Sequence, residues 1–391
     1  MNSWFKKLFY YFFLFWCFFL ISTFTVFFFI FLLEQISCEH SYIIFFANII
    51  ISIVIIFLLL LLVAYAILVE RKVLGSIQRR RGPNLIGILG ILQPIADAIK
   101  LIVKETIVPV LSNSIIFVLA PILTLILSLL NWSIIPFSEY SIYADIRVSI
   151  LMFFAISSLT VYGIIMSGWA SNSKYAFLGA LRAAAQVIAY EVSMGLILIY
   201  ILVQTGDLSY FKIIWYQVDI WNIAPCFIFF LLFLISTLAE TNRPPFDLPE
   251  AEAELVSGYN VEYSAMSFGF FFLGEYVSIW TVCCLNVIIF WGGFLINGFY
   301  QSIFLYSLKV ITFVITFIWI RGSVPRYRYD QLMRLGWKIL LPISLSVVLL
   351  YTGIYYNLAD LYLYFENICK DTLNDNIEQG KVLRQVKGSI T

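Results

Sequence analysis

Seven carboxylates fall between Ala239 and Tyr276: Glu240, Asp247, Glu250, Glu252, Glu254, Glu262 and Glu275. One base, Arg243, stands among them. Long apolar runs flank the stretch; Glu240 closes one and Glu275 lies inside the next. A carboxylate in hydrocarbon is costly, so an acid placed there marks a functional site by default. Seven acids against one base do not form a self-neutralised salt-bridge network. Crowded like charges and burial both favour the protonated carboxyl. Some of these groups are therefore expected to hold protons near neutral pH, as a proton relay requires. The plainer alternative is a solvated acidic loop that docks a basic partner.

A further acid stands alone. Glu191 lies well inside LGALRAAAQVIAYEVSMG, close to mid-bilayer if that run spans, with Gln186 and Tyr190 nearby. Its plainer reading is an uncharged acid bonded to a neighbouring helix. Two basic segments, ERKVLGSIQRRRGPN and WIRGSVPRYRYDQLMRLGWK, each follow directly on an apolar run. They serve either as a topology signal alone or as the polar mouth of a site beside the acidic loop. Other chemistry is absent from the sequence. The six cysteines include no CxxC pair and there is one histidine, His40, so no metal, iron–sulfur or haem ligand set is expected. No nucleotide-binding glycine loop appears. The net charge of +1 implies no nucleic-acid partner.

The elements that must position these groups are membrane helices. Hydrophobic residues make up 62% of the 391 and charged residues 12%, against about 25% charged in soluble domains. The expected fold is an all-α integral membrane bundle of about nine spans. They run near 8–33, 42–69, 115–135, 147–167, 179–204, 223–240, 264–297, 303–321 and 338–357. Between the second and third, Asp97, Lys100 and Lys104 share one face of LIGILGILQPIADAIKLIVKE, and Ile, Leu and Val fill the other. That pattern predicts a helix lying in the interface plane. Alternate spans leave 17 of the 24 Lys and Arg on one side, with the acidic loop. The positive-inside rule makes that side the matrix or cytoplasm. The opposite loops are expected to hold Arg147, Lys212, Lys309 and the four basic residues of the tail.

Four motifs occur in order. They are AYAILVERKVLGSIQRRRGPNLIGILGILQPIADAIKLIVKE, SGWASNSKYAFLGALRAAAQVIAYEVS, STLAETNRPPFDLPEAEAELVSGYNVEYSAM and WIRGSVPRYRYDQLMRLGWK. Together they resemble the subunit 1 family of NADH:ubiquinone oxidoreductase, respiratory complex I, across about residues 42–357. The resemblance implies eight tilted helices and an interfacial helix after the first. It implies the membrane end of a ubiquinone chamber, with Arg71, Asp97, Arg243, Phe246, Phe272, Arg321 and Arg326 along the passage. It also implies a proton-coupling line through Glu191, Glu240, Asp247, Glu250, Glu252, Glu254, Glu262 and Glu275.

Ubiquinone is then the substrate, with no redox cofactor on this chain. NADH, FMN and iron–sulfur clusters belong to partner subunits. The partners implied are the quinone-site subunits of the peripheral arm, adjacent small membrane subunits and phospholipid. Residues 1–41 add a helix to the family pattern, and residues 358–391 add a polar tail. The 37 Phe and 24 Tyr suit an AT-rich organellar genome. The expected location is therefore the mitochondrial inner membrane, with motif-rich loops in the matrix and the tail in the intermembrane space. The alternatives are a secondary cation/proton transporter, which usually shows two similar halves absent here, or a membrane subunit of a hydrogenase-type complex.

Overall fold

Apolar runs this long leave the backbone one way to satisfy its polar groups in lipid, which is to form helices. The computed structural model describes residues 41–138, 143–247, 258–296 and 300–357. The helices are α1 (Ser41–Ile77), α2 (Gln93–Val103), α3 (Ser114–Trp132), α4 (Ser149–Ala170), α5 (Lys174–Thr205), α6 (Tyr210–Tyr216), α7 (Phe227–Glu240), α8 (Ala265–Phe290) and α9 (Ile303–Ser323). The last, α10 (Tyr329–Asn357), contains a π-helical turn at Leu335–Leu340. A two-residue hairpin, β1 (Leu295–Ile296) with β2 (Tyr300–Gln301), joins α8 to α9.

Seven of the described helices are long and apolar enough to cross a membrane: the Ser52–Ile77 part of α1, then α3, α4, α5, α8, α9 and α10. The first expected span, residues 8–33, lies outside the described residues, as do the tail and His40. α7 is shorter than expected. Its 14 residues reach about 21 Å at 1.5 Å each, short of a ~30 Å hydrocarbon core.

Several expected boundaries are corrected. The 264–297 span ends at Phe290, because Gly292 and Gly293 both take positive φ and turn the chain into the hairpin. The basic run after residue 69 continues α1 to Ile77 instead of starting a loop. α5 begins five residues earlier than expected, at Lys174, so Arg182 lies more than two turns in, over the ring of Tyr329 at 5.3 Å. α10 begins at Tyr329, nine residues before the expected 338. Lys309, assigned to a loop, is buried in α9. α2 buries none of its residues within this chain, and Ile95, Ile99, Ile102 and Val103 face outward. This agrees with an interfacial helix.

The main core lies along α8, where Val277, Trp280 and Cys283 through Phe290 are nearly all inaccessible. α3, α9, α1, α2, α6 and α7 all contact α8, while α4 packs between α3 and α5 and α5 packs on α7.

Candidate functional site

The polar groups converge where the end of α1, the loop after α7, the first turns of α8 and the end of α9 meet. α1 carries Glu70 and Arg71 at adjacent positions, about 100° apart around the helix. Arg71 faces outward and pairs with Asp97 of α2 at 2.8 Å, and Gln93 Nε2 donates to the other Asp97 oxygen at 2.9 Å. Arg71 and Gln93 edge an open cavity of about 640 Å³ between α1 and the 80–86 loop. Glu70 faces inward and is buried. It pairs with Arg321 of α9 and accepts a hydrogen bond from Tyr276 Oη at 2.6 Å.

Tyr276 extends the line. The Arg243 guanidinium stacks over its ring, 4.3 Å from the centroid. Arg243 is buried and reaches Glu275 at 3.6 Å, and Tyr259 Oη donates to the other Glu275 oxygen at 2.6 Å. A buried charge is tolerated when it is paired and hydrogen-bonded, and each of these has at least one such partner.

The loop that holds Arg243 is fixed from two sides. Gln186, fully buried in α5, donates to Ala239 O at 2.8 Å and to Phe246 O at 2.7 Å. Phe246 lies near Tyr190, at 5.9 Å, and stacks on Tyr327, at 5.6 Å. Arg326 reaches buried Asp247 at 3.2 Å. Behind Glu275 lies a cavity of about 80 Å³ lined by Glu240, Glu275, Thr281, Thr124, Ser128 and Asn131 among others. A water needs about 10–15 Å³ and two to four polar partners, so this space suits several waters. Ser157, also on its wall, donates to Glu191 at 3.3 Å.

The family described as NADH dehydrogenase matches residues 49–352. The chain belongs to this family. Among curated relatives, NADH-ubiquinone oxidoreductase chain 1 of Chondrus crispus is 59% identical, over 75% of this chain and 91% of its own length. The chain 1 of Cyanidium caldarium is 56% identical, over 75% and 87%. A subunit of the NADH-quinone oxidoreductase of Paramagnetospirillum magneticum is 54% identical, over 72% and 84%. The chain is therefore a multi-pass membrane subunit of NADH–quinone oxidoreductase, complex I subunit 1, and other subunits of that enzyme are its partners.

In this NADH dehydrogenase subunit the structure gathers Arg243, Glu275, Asp247 and Arg326 in one cluster, with Arg321 joined to it through Glu70 and Tyr276. Arg71 and Asp97 form a neighbouring pair on the outer face of α1. Glu240 borders the cavity behind, and Glu191 meets its wall through Ser157. Phe272 packs against Phe268 at 4.5 Å, on a different ring pair from Phe246. Glu262 is half-buried and makes no ion pair among the described residues. Glu250, Glu252 and Glu254 lie outside the described residues.

Two acids of the stretch find bases in the fold. Asp247 takes its base from Arg326, and Glu275 takes Arg243, so a base from outside the stretch neutralises one of its acids. Sequence reasoning passed over Glu70, Tyr259 and Tyr276. The usable signal for Glu70 is an acid at the end of an apolar run, beside Arg71. The tyrosines gave none, because an aromatic beside an acid is ordinary packing until the fold supplies its partner.

Proposed function

We propose that this subunit forms the membrane end of the ubiquinone passage and chamber and the first part of the proton-coupling line. The observation that supports it is the unbroken run of polar side chains from Arg321 through Glu70, Tyr276 and Arg243 to Glu275, at the wall of a cavity shared with Glu240. The open cavity beside Arg71 is the candidate mouth, with exposed apolar residues of α2 next to it for the isoprenoid tail. Reducing a quinone to a quinol takes two electrons and two protons. Partner subunits carry NADH, FMN and iron–sulfur clusters and supply the electrons.

This chain's residues handle the charge. A change at Glu70 alters the field on Arg321 and Tyr276. Arg243 then shifts its sharing between the Tyr276 face and Glu275. The protonation of Glu275, Glu240 and Glu191 follows through cavity water, with Glu250, Glu252, Glu254 and Glu262 on the loop side. The chain is read as lying in the mitochondrial inner membrane, with phospholipid around it. The peripheral-arm and small membrane subunits cover its polar mouth in the matrix, and its tail lies in the intermembrane space.

The test is Glu240→Gln and Glu191→Gln in the intact complex in liposomes. NADH–quinone turnover and protons moved per NADH are measured together. Both variants should lower pumping. Unchanged turnover and unchanged stoichiometry in both would remove the relay.

A further inference from the structure

Lys309 takes no part in the proposed quinone or proton chemistry. It lies six residues into α9, about 18 Å along the helix from Arg321. That places it toward the end of the bundle opposite the acidic cluster. It is buried, and no described carboxylate lies within ion-pair distance of it. An intramembrane lysine without a carboxylate is expensive and needs a role. Its Nζ donates to three backbone carbonyls, Trp291 O at 2.6 Å, Gly293 O at 3.1 Å and Leu295 O at 3.0 Å. It also sits 4.5 Å from the centre of the Trp221 ring.

These carbonyls belong to a closed cap on α8. A helix ends with carbonyls that have no partner within it. Here Val287 O accepts from Trp291 N and Gly293 N, and Phe290 O accepts from Ile223 N. Ile288 O accepts from Gln217 Nε2 and Ile289 O from Asn222 Nδ2, both at 2.9 Å. Gln217 Oε1 in turn accepts from Gly292 N at 3.0 Å. Between this cap and Thr281 and Val282, which line the acidic cavity, α8 presents buried Cys283, Cys284, Leu285 and Val287. Asn286 interrupts them, with its amide turned back to Val282 O.

A proton path needs water or acceptors with capacity left, and a fixed positive charge raises its barrier. The far end of α8 offers engaged backbone carbonyls, an apolar stretch in which Asn286 Oδ1 alone lacks a hydrogen-bond partner, and one ammonium. We propose that Lys309 and the cap around it act as a cationic stopper. It keeps protons from passing between the cavity at Glu240 and the opposite face of this subunit. The stopper rests on reading that cavity as part of the proton line, and it adds the barrier that such a line requires at its other end.

The test uses the intact complex in liposomes with a trapped pH dye and an imposed gradient, without NADH or quinone. Lys309→Met removes the charge and the donors at similar length. It should collapse the gradient roughly tenfold faster or more, the effect of losing a unit charge beside the path in a partly screened site. Lys309→Arg should stay near the parent. An assembled Lys309→Met complex with the parent's leak overturns the proposal. A wild-type measurement decides the matter if that variant fails to assemble. The amides of Trp291, Gly293 and Ile223 should stay protected from hydrogen exchange, and exchange at loop rates shows that water reaches the cap and overturns the stopper. Failure of the relay would instead appear in Glu240→Gln as unchanged driven pumping, whatever the resting leak.

Discussion

Two glycines of α5 make opposite predictions for the same substitution. At Gly179 a Cβ would stand 2.8 Å from Gly258 Cα, 2.9 Å from Gly258 C and 2.9 Å from Tyr259 N. All three are backbone atoms, so no side chain can swing away. Carbon atoms prefer about 3.5–4.0 Å, so the turn at 258–260 must retreat by roughly 0.6 Å or more. That turn carries Tyr259, whose hydroxyl meets Glu275 at 2.6 Å. Adding the retreat to that distance takes it past the ~3.0 Å limit for a good O–H···O bond. Overpacking of this kind costs about 1–3 kcal/mol, and losing a hydrogen bond to a charged group costs about 1.5–3 kcal/mol. The two effects share one displacement and do not add fully, so about 3 kcal/mol is the expected scale.

At Gly195, on the same helix, nothing lies within 4 Å of the added Cβ. There Ala should be neutral or should help by up to about 1 kcal/mol through helix propensity. The assay is a native gel for assembled complex, followed by the ratio of NADH–quinone to NADH–dye reduction in the same membranes. Dye reduction bypasses quinone, so the ratio isolates the quinone step. Gly179→Ala should reduce assembly and lower the ratio about tenfold or more, as loss of part of ~3 kcal/mol at the site implies. Gly195→Ala should match the parent. Equal behaviour of the two variants would refute the close approach of α5 to the 258–260 turn and the importance of Tyr259 with it.

Two further outcomes follow from buried pairs. Arg321→Met leaves Glu70 as an uncompensated buried charge, a loss of about 3–5 kcal/mol. Assembly should fall sharply and should recover in part when Glu70→Gln is added, which a native gel of the single and double variants measures. Gln186→Leu orphans the Phe246 carbonyl and leaves Ala239 O to its backbone donor Asn242 N, at about 1–3 kcal/mol for the orphaned group. Hydrogen exchange at residues 241–247 should speed up while α5 itself stays protected.

The sequence alone determined that the chain is a helical membrane protein. Hydrocarbon admits only apolar, internally bonded segments, and such runs are visible one residue at a time. It also marked the amphipathic helix that carries Asp97, because amphipathic spacing is local. The acidic stretch and Glu191 stood out for the same reason, since a charge among apolar neighbours needs no partner to be noticed.

Tertiary structure decided the pairings. Arg321 finds Glu70 and Arg326 finds Asp247 across separations that no local pattern encodes, because pairing energy depends on distance in space. The end of α8 at Phe290 was likewise hidden. Residues 291–296 remain mostly apolar, and only the positive φ of Gly292 and Gly293 with the cap from Gln217, Asn222 and Lys309 stops the helix. Lys309 itself read as a loop charge because sequence registers the cost of burying an ammonium. The three carbonyls that offset that cost come together only in the folded bundle.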